Sequence, residues 1–495
     1  MNGQRFMKRL EEEGKKSLSV WDAPSVGLGI IKDGEIVFSG GFGERDKEKH
    51  LPADADTLYQ IGSCTKAFTA ALAAIFVDQG KLDFDTPIRE YIPELRFYDE
   101  YTTENCTLRD VLYHRTGIPR HEYSWYGTDF DRHELIHNLR YLEPNRPFRT
   151  VFQYNNYGYL VAGEALERVS GKTYEQLLQE YLFDPLGMNR TSCYVDSIGE
   201  DENHAVPYDR PDGTGHKGCV PIPFYRTSVE NRSKGIGAPF AAAGSINSSV
   251  SDMLKWVQLH LSRGEYNGRR ILSEKSCEEL HTPAIFCPPL DISCDEMKFS
   301  SYAMGWKVES YRGTEVISHG GNINGFSGYT GFIPSLGLGV VAYTNMNSSF
   351  GGYALAKTVY DHYLGFDGED WQNRYFCFVT ERSGAFEEYL SGLRGPQVPG
   401  THPSHELKDY EGTYARDGYG DCVIREENGT LIMHFLSADC RLEHYHYDTF
   451  ISKNIVGEIP PGLPVVFQIS PQGEVIGVSM ALVTEDGKYI TFRKK

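Results

Sequence analysis

Long apolar runs are missing from this chain. No stretch of about eighteen consecutive apolar residues occurs, the length a helix needs to cross a hydrocarbon core. Met1 to Lys16 is charged and amphipathic, whereas a secretory leader needs an apolar run ahead of a small-residue cleavage site, so none is expected. Positive charge is scarce too. There are 49 Lys and Arg against 68 Asp and Glu, a formal charge of −19, which argues against nucleic acid and against anionic membrane surfaces as partners, because both need a basic face. Cysteine is present, ten residues in 495, but without a Cys-x-x-Cys pair or a His/Cys cluster of zinc spacing. No metal and no organic cofactor is implied. Scattered thiols read most simply as the reduced cysteines of a cytoplasmic protein. Internal repeats and low-complexity tracts are absent as well. What remains, 40% hydrophobic and 24% charged, is ordinary globular composition at a length that predicts two or more domains.

The stretch that organises the chain is Ile61-Gly62-Ser63-Cys64-Thr65-Lys66, directly ahead of Ala67–Leu72. Phe68, Leu72, Ile75 and Phe76 recur at the spacing of one helix face, and Gly80 is a natural stop. Ser63 then stands at the start of a buried helix with Lys66 one turn above it on the same face. A serine hydroxyl is inert until a neighbour takes its proton, and an amine in a dry site can lose its own charge and do so. The helix N-terminus adds N–H groups that favour a developing oxyanion. Ser-x-x-Lys alone fits a capping serine beside a solvated lysine equally well, so partners elsewhere must decide.

Val26–Ile31 and Ile36–Phe38 flank Lys32-Asp33-Gly34, a hairpin signal. Thr107-Leu108-Arg109-Asp110 predicts a capped short helix ending near His114–Pro119. Residues 120–149 are aromatic and polar without a period, which suits either a cleft wall or packed loops. Tyr154-Asn155-Asn156 opens a helix whose buried stripe is Leu160, Gly163, Leu166 and Val169, ended by Ser170-Gly171. Residues 197–236 read as a long loop, and Ser251 as the cap of a helix carrying Met253, Leu254, Val257 and Leu261. Strands return at Glu315–Ser318, Tyr329–Ile333 and Gly339–Thr344, the first running into His319-Gly320-Gly321-Asn322. Strands at both ends of this region, with helices between, predict one sheet with a helical subdomain inserted. Arg394–Gly400 reads as a linker. Beyond it, short β-like runs from Tyr410 to Arg493 predict seven or eight strands in a small antiparallel barrel or sandwich.

Ser63-Cys64-Thr65-Lys66, Tyr154-Asn155-Asn156 and His319-Gly320-Gly321, in this order, resemble the motifs of the serine β-lactamase and penicillin-binding-protein superfamily. Within it they resemble the branch of class C β-lactamases, D-aminopeptidases and related esterases. Leu112–Pro119, Tyr157–Tyr159 through Phe183–Met188, Ala243–Ile246 and Tyr302–Trp306 have counterparts there, so the resemblance covers about residues 20–365. More weakly, the tail is similar to the lipocalin-like domain appended to some of these hydrolases, through Leu407, Tyr410, Gly412 and Tyr414. The resemblance implies an α/β, β-lactamase-like fold: an antiparallel sheet flanked by helices plus a helical subdomain, then a small all-β lipocalin-like barrel. The expected division is a hydrolase domain at 1–385, a linker at 386–404 and the barrel at 405–495.

It also implies roles. Ser63 would attack a carbonyl and form an acyl-enzyme. Lys66 and Tyr154 would share the proton transfer, and which of them is the base stays open. Asn156 would bond Lys66 and the substrate amide. The N–H groups of Ser63 and Asn322 would form the oxyanion hole. Gly320 and Gly321 would let substrate lie close to the strand. His319 stands where many relatives carry a lysine and would titrate near neutrality, which weakens any grip on a substrate carboxylate; a core histidine is the other reading. The expected activity is hydrolysis of an amide or ester of a small molecule or short peptide, within which a D-residue is accommodated. A β-lactamase, or a ligand-binding protein on the same scaffold, is the alternative. Self-association of copies stays open.

Overall fold

Both faces of the strand Leu338–Thr344 are buried. Leu338, Val340 and Ala342 point into one apolar cluster, Val341 and Tyr343 into another, because successive side chains of a strand face opposite ways. This strand sits near the middle of the main sheet in a computed structural model that describes residues 2–210, 218–224, 238–289, 292, 294–366, 368–436, 438–455, 459–483 and 485–495. The front of the chain supplies β1 (Ser25–Lys32), β2 (Glu35–Asp46) and β3 (Leu51–Pro52). The later region supplies β4 (Ile285–Phe286), β5 (Met297–Tyr302), β6 (Lys307–Tyr311), β7 (Thr314–Ile323), β8 (Phe326–Ile333) and β9 (Leu338–Thr344). Their order is β4-β5-β6-β7-β8-β9-β1-β2-β3, antiparallel throughout. One sheet is thus closed by pairing of the two sequence ends, as the strand pattern predicts. Asp33 and Gly34 turn β1 into β2 with φ of 52° and 84°, the positive pair that a two-residue hairpin needs.

The helices that frame the sheet are α1 (Asn2–Trp21), α2 (Thr65–Asp78), α3 (Tyr157–Ser170), α4 (Val250–Leu261), α5 (Gly351–Leu364) and α6 (Trp371–Arg394). Phe6, Leu10 and Trp21 of α1, Leu355 and Val359 of α5, and Trp371 and Tyr375 of α6 cover one face. The Trp21 indole donates to Gln372 at 2.9 Å and ties the first helix to the last. On the other face lie α2, α3 and α4, with Phe68, Leu72, Leu160, Leu166, Leu254 and Val257. Helix α2 is buried on all sides from Thr65 to Phe76, more than the single stripe predicts, because it runs through the middle of the helical layer. Thr107 and Asp110 form the expected capping box on Leu108–Leu112. Helix α4 is capped by Ser249, whose hydroxyl accepts from Asp252 N–H, and not by Ser251, which donates to the Ala55 carbonyl. Of the loop read at 197–236, residues 211–217 and 225–236 lie outside the described residues.

Helix α6 continues to Arg394, so the Gly/Pro stretch begins at Gly395. Beyond it come β10 (Gly412–Arg416), β11 (Gly420–Glu427), β12 (Thr430–Phe435), β13 (Ala438–His446), β14 (Thr449–Ile455), β15 (Pro464–Ile469), β16 (Val475–Val483) and β17 (Lys488–Lys494). They form a closed eight-stranded antiparallel barrel, completed by pairing of β10 with β17. Tyr414, Cys422, Met433, Phe467 and Phe492 are buried within it. No helix of the described residues is long and apolar enough to cross a membrane.

Candidate active site

Ser63 lies on the 3-10 turn Gly62–Cys64 that feeds α2. The turn has no side-chain cap, so Ser63 is not spent on capping and its hydroxyl is free for other partners. Ile61 N–H donates to Ile246 O at 2.9 Å, and Ile246 N–H to the Thr65 hydroxyl at 3.2 Å. These bonds hold the short helix Ala241–Gly244 against the start of α2. As a result Lys66, fully buried, has its Nζ 2.8 Å from Ala243 O, 2.8 Å from Asn156 Oδ1 and 3.1 Å from Ser63 Oγ. Burial, followed by the Arg120 guanidinium, pushes the Lys66 ammonium well below its ordinary pKa. A neutral amine has two N–H bonds and one lone pair. An ammonium would donate to all three oxygens, whereas a neutral amine would give its two N–H bonds to the carbonyl oxygens and turn its lone pair to the Ser63 hydroxyl.

Tyr154 stands at the entry to α3, where Asn155 Oδ1 accepts from Gly158 N–H at 2.9 Å and Asn155 Nδ2 donates to Ile118 O at 3.0 Å. That buried bracket fixes the residues on either side of it. Burial raises the pKa of the Tyr154 phenol, and the nearby Ser63 hydroxyl and the Arg120 charge offset part of the rise. Lys66 Nζ lies 4.9 Å and the Arg120 guanidinium 5.2 Å from the Tyr154 ring centroid. The phenol therefore keeps its proton at neutral pH, and a buried amine with a lowered pKa is a group that could accept one.

The wall opposite is β7. His319 is buried, and its Nδ1 lies 2.6 Å from Gly320 O and its Nε2 2.9 Å from Tyr302 OH. The carbonyl can only accept, so Nδ1 carries the proton and Nε2 accepts from the phenol. Burial first, then the Lys66 charge, lowers the His319 pKa to about 3. The expectation of titration near neutrality is therefore corrected: this imidazole is neutral, with both nitrogens bonded within the protein. The glycines that follow also have a different reason from the expected one. A Cβ on Gly320 would sit 1.5 Å from Tyr353 OH, and one on Gly321 would sit 1.9 Å from Ile61 O and 3.3 Å from Ser63 N. The room is filled by the protein itself, and the absent side chains let β7 press against the nucleophile turn. Gly62, at φ +52°, leaves Asn322 N 3.0 Å from where its own Cβ would be. Asn322 turns its side chain away, Oδ1 accepting from the Ser327 hydroxyl at 2.8 Å and Ser348 N–H at 2.9 Å.

Ser63, Lys66, Tyr154, Asn156, His319, Gly321 and Asn322 thus converge in space. Sequence reasoning did not single out Arg120, paired with Glu122 beside Tyr154; its place straight after the Gly117-Ile118-Pro119 turn is the signal that was available. It also missed the Ala243 carbonyl, which carries no side-chain signature. In the barrel, His434 bonds Asp439 at 2.8 Å, His444 bonds Tyr447 O at 2.9 Å and His446 accepts from Val398 N–H at 3.4 Å. Among the described residues no group of three or more His, Cys, Asp or Glu is placed to hold a metal ion.

A family model described as Beta-lactamase matches residues 10–363, and one described as a domain of unknown function (DUF3471) matches residues 396–494. Among curated proteins the chain is similar to Unguisins hydrolase ungD of Aspergillus violaceofuscus, 30% identical over 500 residues, covering 94% of this chain and 86% of the relative. Among solved structures, the octameric penicillin-binding protein homologue from Pyrococcus abyssi superposes with TM-score 0.63 at 23% identity, covering 99% of this chain and 100% of that one. A D-stereospecific amidohydrolase from Streptomyces sp. does so with TM-score 0.57 at 19% identity, over 72% of this chain and 98% of its own.

Proposed function

The chain belongs to the beta-lactamase family of serine hydrolases, and from that membership we propose that it cleaves an amide or ester through an acyl-enzyme on Ser63. The observation that carries this reading is the buried Lys66 Nζ, 3.1 Å from Ser63 Oγ and 2.8 Å from both Asn156 Oδ1 and Ala243 O. Lys66 takes the Ser63 proton as Oγ bonds to the substrate carbonyl carbon. The oxyanion is held by the N–H groups of Ser63 and Asn322. As the carbon–nitrogen or carbon–oxygen bond breaks, Tyr154 gives its proton to the leaving group and recovers one from Lys66. Water then repeats the sequence on the acyl-enzyme and restores Ser63.

The substrate class we favour is a small molecule or short peptide in which a D-residue is accepted. It is supported by the hydrolase activity stated for the Aspergillus relative and the D-stereospecificity stated for the Streptomyces neighbour. His319, neutral and internally bonded, offers no cation for a substrate carboxylate. A cytoplasmic setting and a division into hydrolase (1–385), linker (386–404) and lipocalin-like barrel (405–495) belong to the same proposal. The test is a fluorophosphonate probe followed by intact mass, run beside D- and L-aminoacyl anilides, short esters and a chromogenic cephalosporin. One adduct, absent in Ser63→Ala, is expected, with turnover of anilides or esters. An adduct that survives Ser63→Ala sinks the mechanism, and turnover confined to the cephalosporin makes the protein a β-lactamase.

A further inference from the structure

We propose that His114 is a positioning residue that holds Tyr154 against Ser63, accepting the Gln153 N–H on its carbonyl and the Asn155 N–H on its imidazole. The inference rests on the reading of Ser63, Lys66 and Tyr154 given above. Gln153 N lies 2.7 Å from His114 O, and Asn155 N lies 3.3 Å from His114 Nδ1. The two amides flanking Tyr154 are thus held by one residue, on its main chain and on its side chain. The imidazole also packs on the phenol it positions, with ring centroids 4.3 Å apart.

Three features show that this residue serves as an acceptor. His114 is fully buried and sits at φ +56°, in the left-handed region where histidine, asparagine and aspartate are the side-chain-bearing residues most often found. An amide N–H donating to Nδ1 places the ring proton on Nε2, and Nε2 has no hydrogen-bond partner. It is surrounded by rings, with Tyr302 at 4.9 Å, Tyr159 at 5.2 Å and Phe152 at 5.6 Å between centroids. An apolar side chain would fill that aromatic site without burying an unbonded N–H, so packing alone does not account for an imidazole there. Burial above all keeps His114 uncharged, which is the form able to accept. His114 acts through Tyr154, and near-attack geometry is unforgiving of small displacements, about 10²-fold in rate for a misplacement of roughly 1 Å.

The experiment compares full-length variants on p-nitrophenyl acetate. His114→Asn keeps an acceptor at the same position along the side chain and tolerates positive φ. His114→Leu removes the acceptor but keeps bulk, and His114→Gly removes it without backbone strain. Leu and Gly are expected to lower kcat about 10²-fold with KM within about threefold, while Asn stays within about tenfold of the parent in kcat. In a Tyr154→Phe background, His114→Gly should change kcat by less than about threefold, because the group it positions is gone. The inference is overturned if Gly and Asn variants have equal kcat, if KM rises at unchanged kcat, or if the loss is fully multiplicative in the Tyr154→Phe background. Should the Leu variant not fold, Gly against Asn decides the matter. Ser63→Ala is read alongside: turnover that survives it refutes the assignment of the whole site. Turnover that needs Ser63 but is indifferent to His114 refutes this inference alone.

Discussion

At Lys66 the balance of forces is between burial, which removes the charge, and three oxygens within 3.1 Å, of which two are carbonyls. Carbonyl oxygens bond an ammonium more strongly than an amine, so they offset part of the charge loss that burial favours. The active form is then the free amine, and activity must rise as pH rises through the Lys66 pKa, which lies below the ordinary lysine value. On the proposed mechanism the acid limb of kcat/KM for ester hydrolysis should follow Lys66. His319, at about 3, has already lost its proton throughout the working range. His319→Gln should lower the rate without moving the limb, and a limb that disappears with this substitution would reassign it to the histidine. Residue identities at the site were legible because nucleophile, amine, phenol and amide are chemically distinctive types at motif spacing. Protonation was not. His319 reads in sequence as a near-neutral titrating group, and only its burial and its bonds to Tyr302 and Gly320 make it a permanent neutral.

Among the elements, β7 and the Ser63 turn approach each other main chain to main chain at Gly321. The atom nearest a Cβ at Gly321 is the Ile61 carbonyl oxygen at 1.9 Å, with the Ile61 carbonyl carbon next at 2.9 Å. Both are main chain, so no rotamer change relieves the clash, and strand and turn must separate. Gly321→Ala should destabilise by about 1–3 kcal/mol, the usual range for overpacking. It should also slow fluorophosphonate labelling of Ser63 by at least about tenfold, because a displaced turn carries the nucleophile with it. Thermal unfolding and labelling rate read on the same variant check this, and parent-like values for both would contradict the geometry. Hairpins and capped helices were legible because Asp33-Gly34 and Thr107–Asp110 carry their own local chemistry. Helix α6 was not legible along its length. Residues 381–388 are exposed on every side, so no apolar stripe marks the period, and the residues from 386 on read as linker. Its Asp370 cap and buried Leu390 show a helix held mainly at its two ends.

On the scale of the whole molecule, the barrel is seated on the loops that lead to the cleft. Tyr419 OH lies 2.5 Å from His121 Nδ1, and Glu485 accepts the Arg120 N–H at 2.8 Å. Asp486 accepts from Asn145 at 2.8 Å, and Lys488 pairs with Glu143 at 2.5 Å. Tyr141 and Leu142 pack at Gly418, and Phe130 at Gly420. The loop so held carries Arg120 over the Tyr154 ring, bonds α3 through Ser124 and Tyr157 at 2.8 Å, and reaches across to Asn324 beyond β7 through Tyr126. It spans the cleft from the helical wall to the sheet wall. None of these bonds reaches Ser63, Lys66 or Tyr154, so the expected effect of the barrel is on the shape of the opening and not on the chemical step. Removal of the chain beyond Pro403 should leave a folded protein still labelled at Ser63, because α2, α3 and β7 place the catalytic groups without it. Its preference should shift toward bulky esters over p-nitrophenyl acetate, since Arg120 and His121 lose their anchors. Full-length Glu485→Ala should shift preference the same way by a smaller factor, with unfolding temperature and oligomeric size measured beside it. Loss of labelling in a truncated but folded protein would place the barrel within the chemistry. Unchanged ester preference in both variants would show that the loop holds its shape unaided.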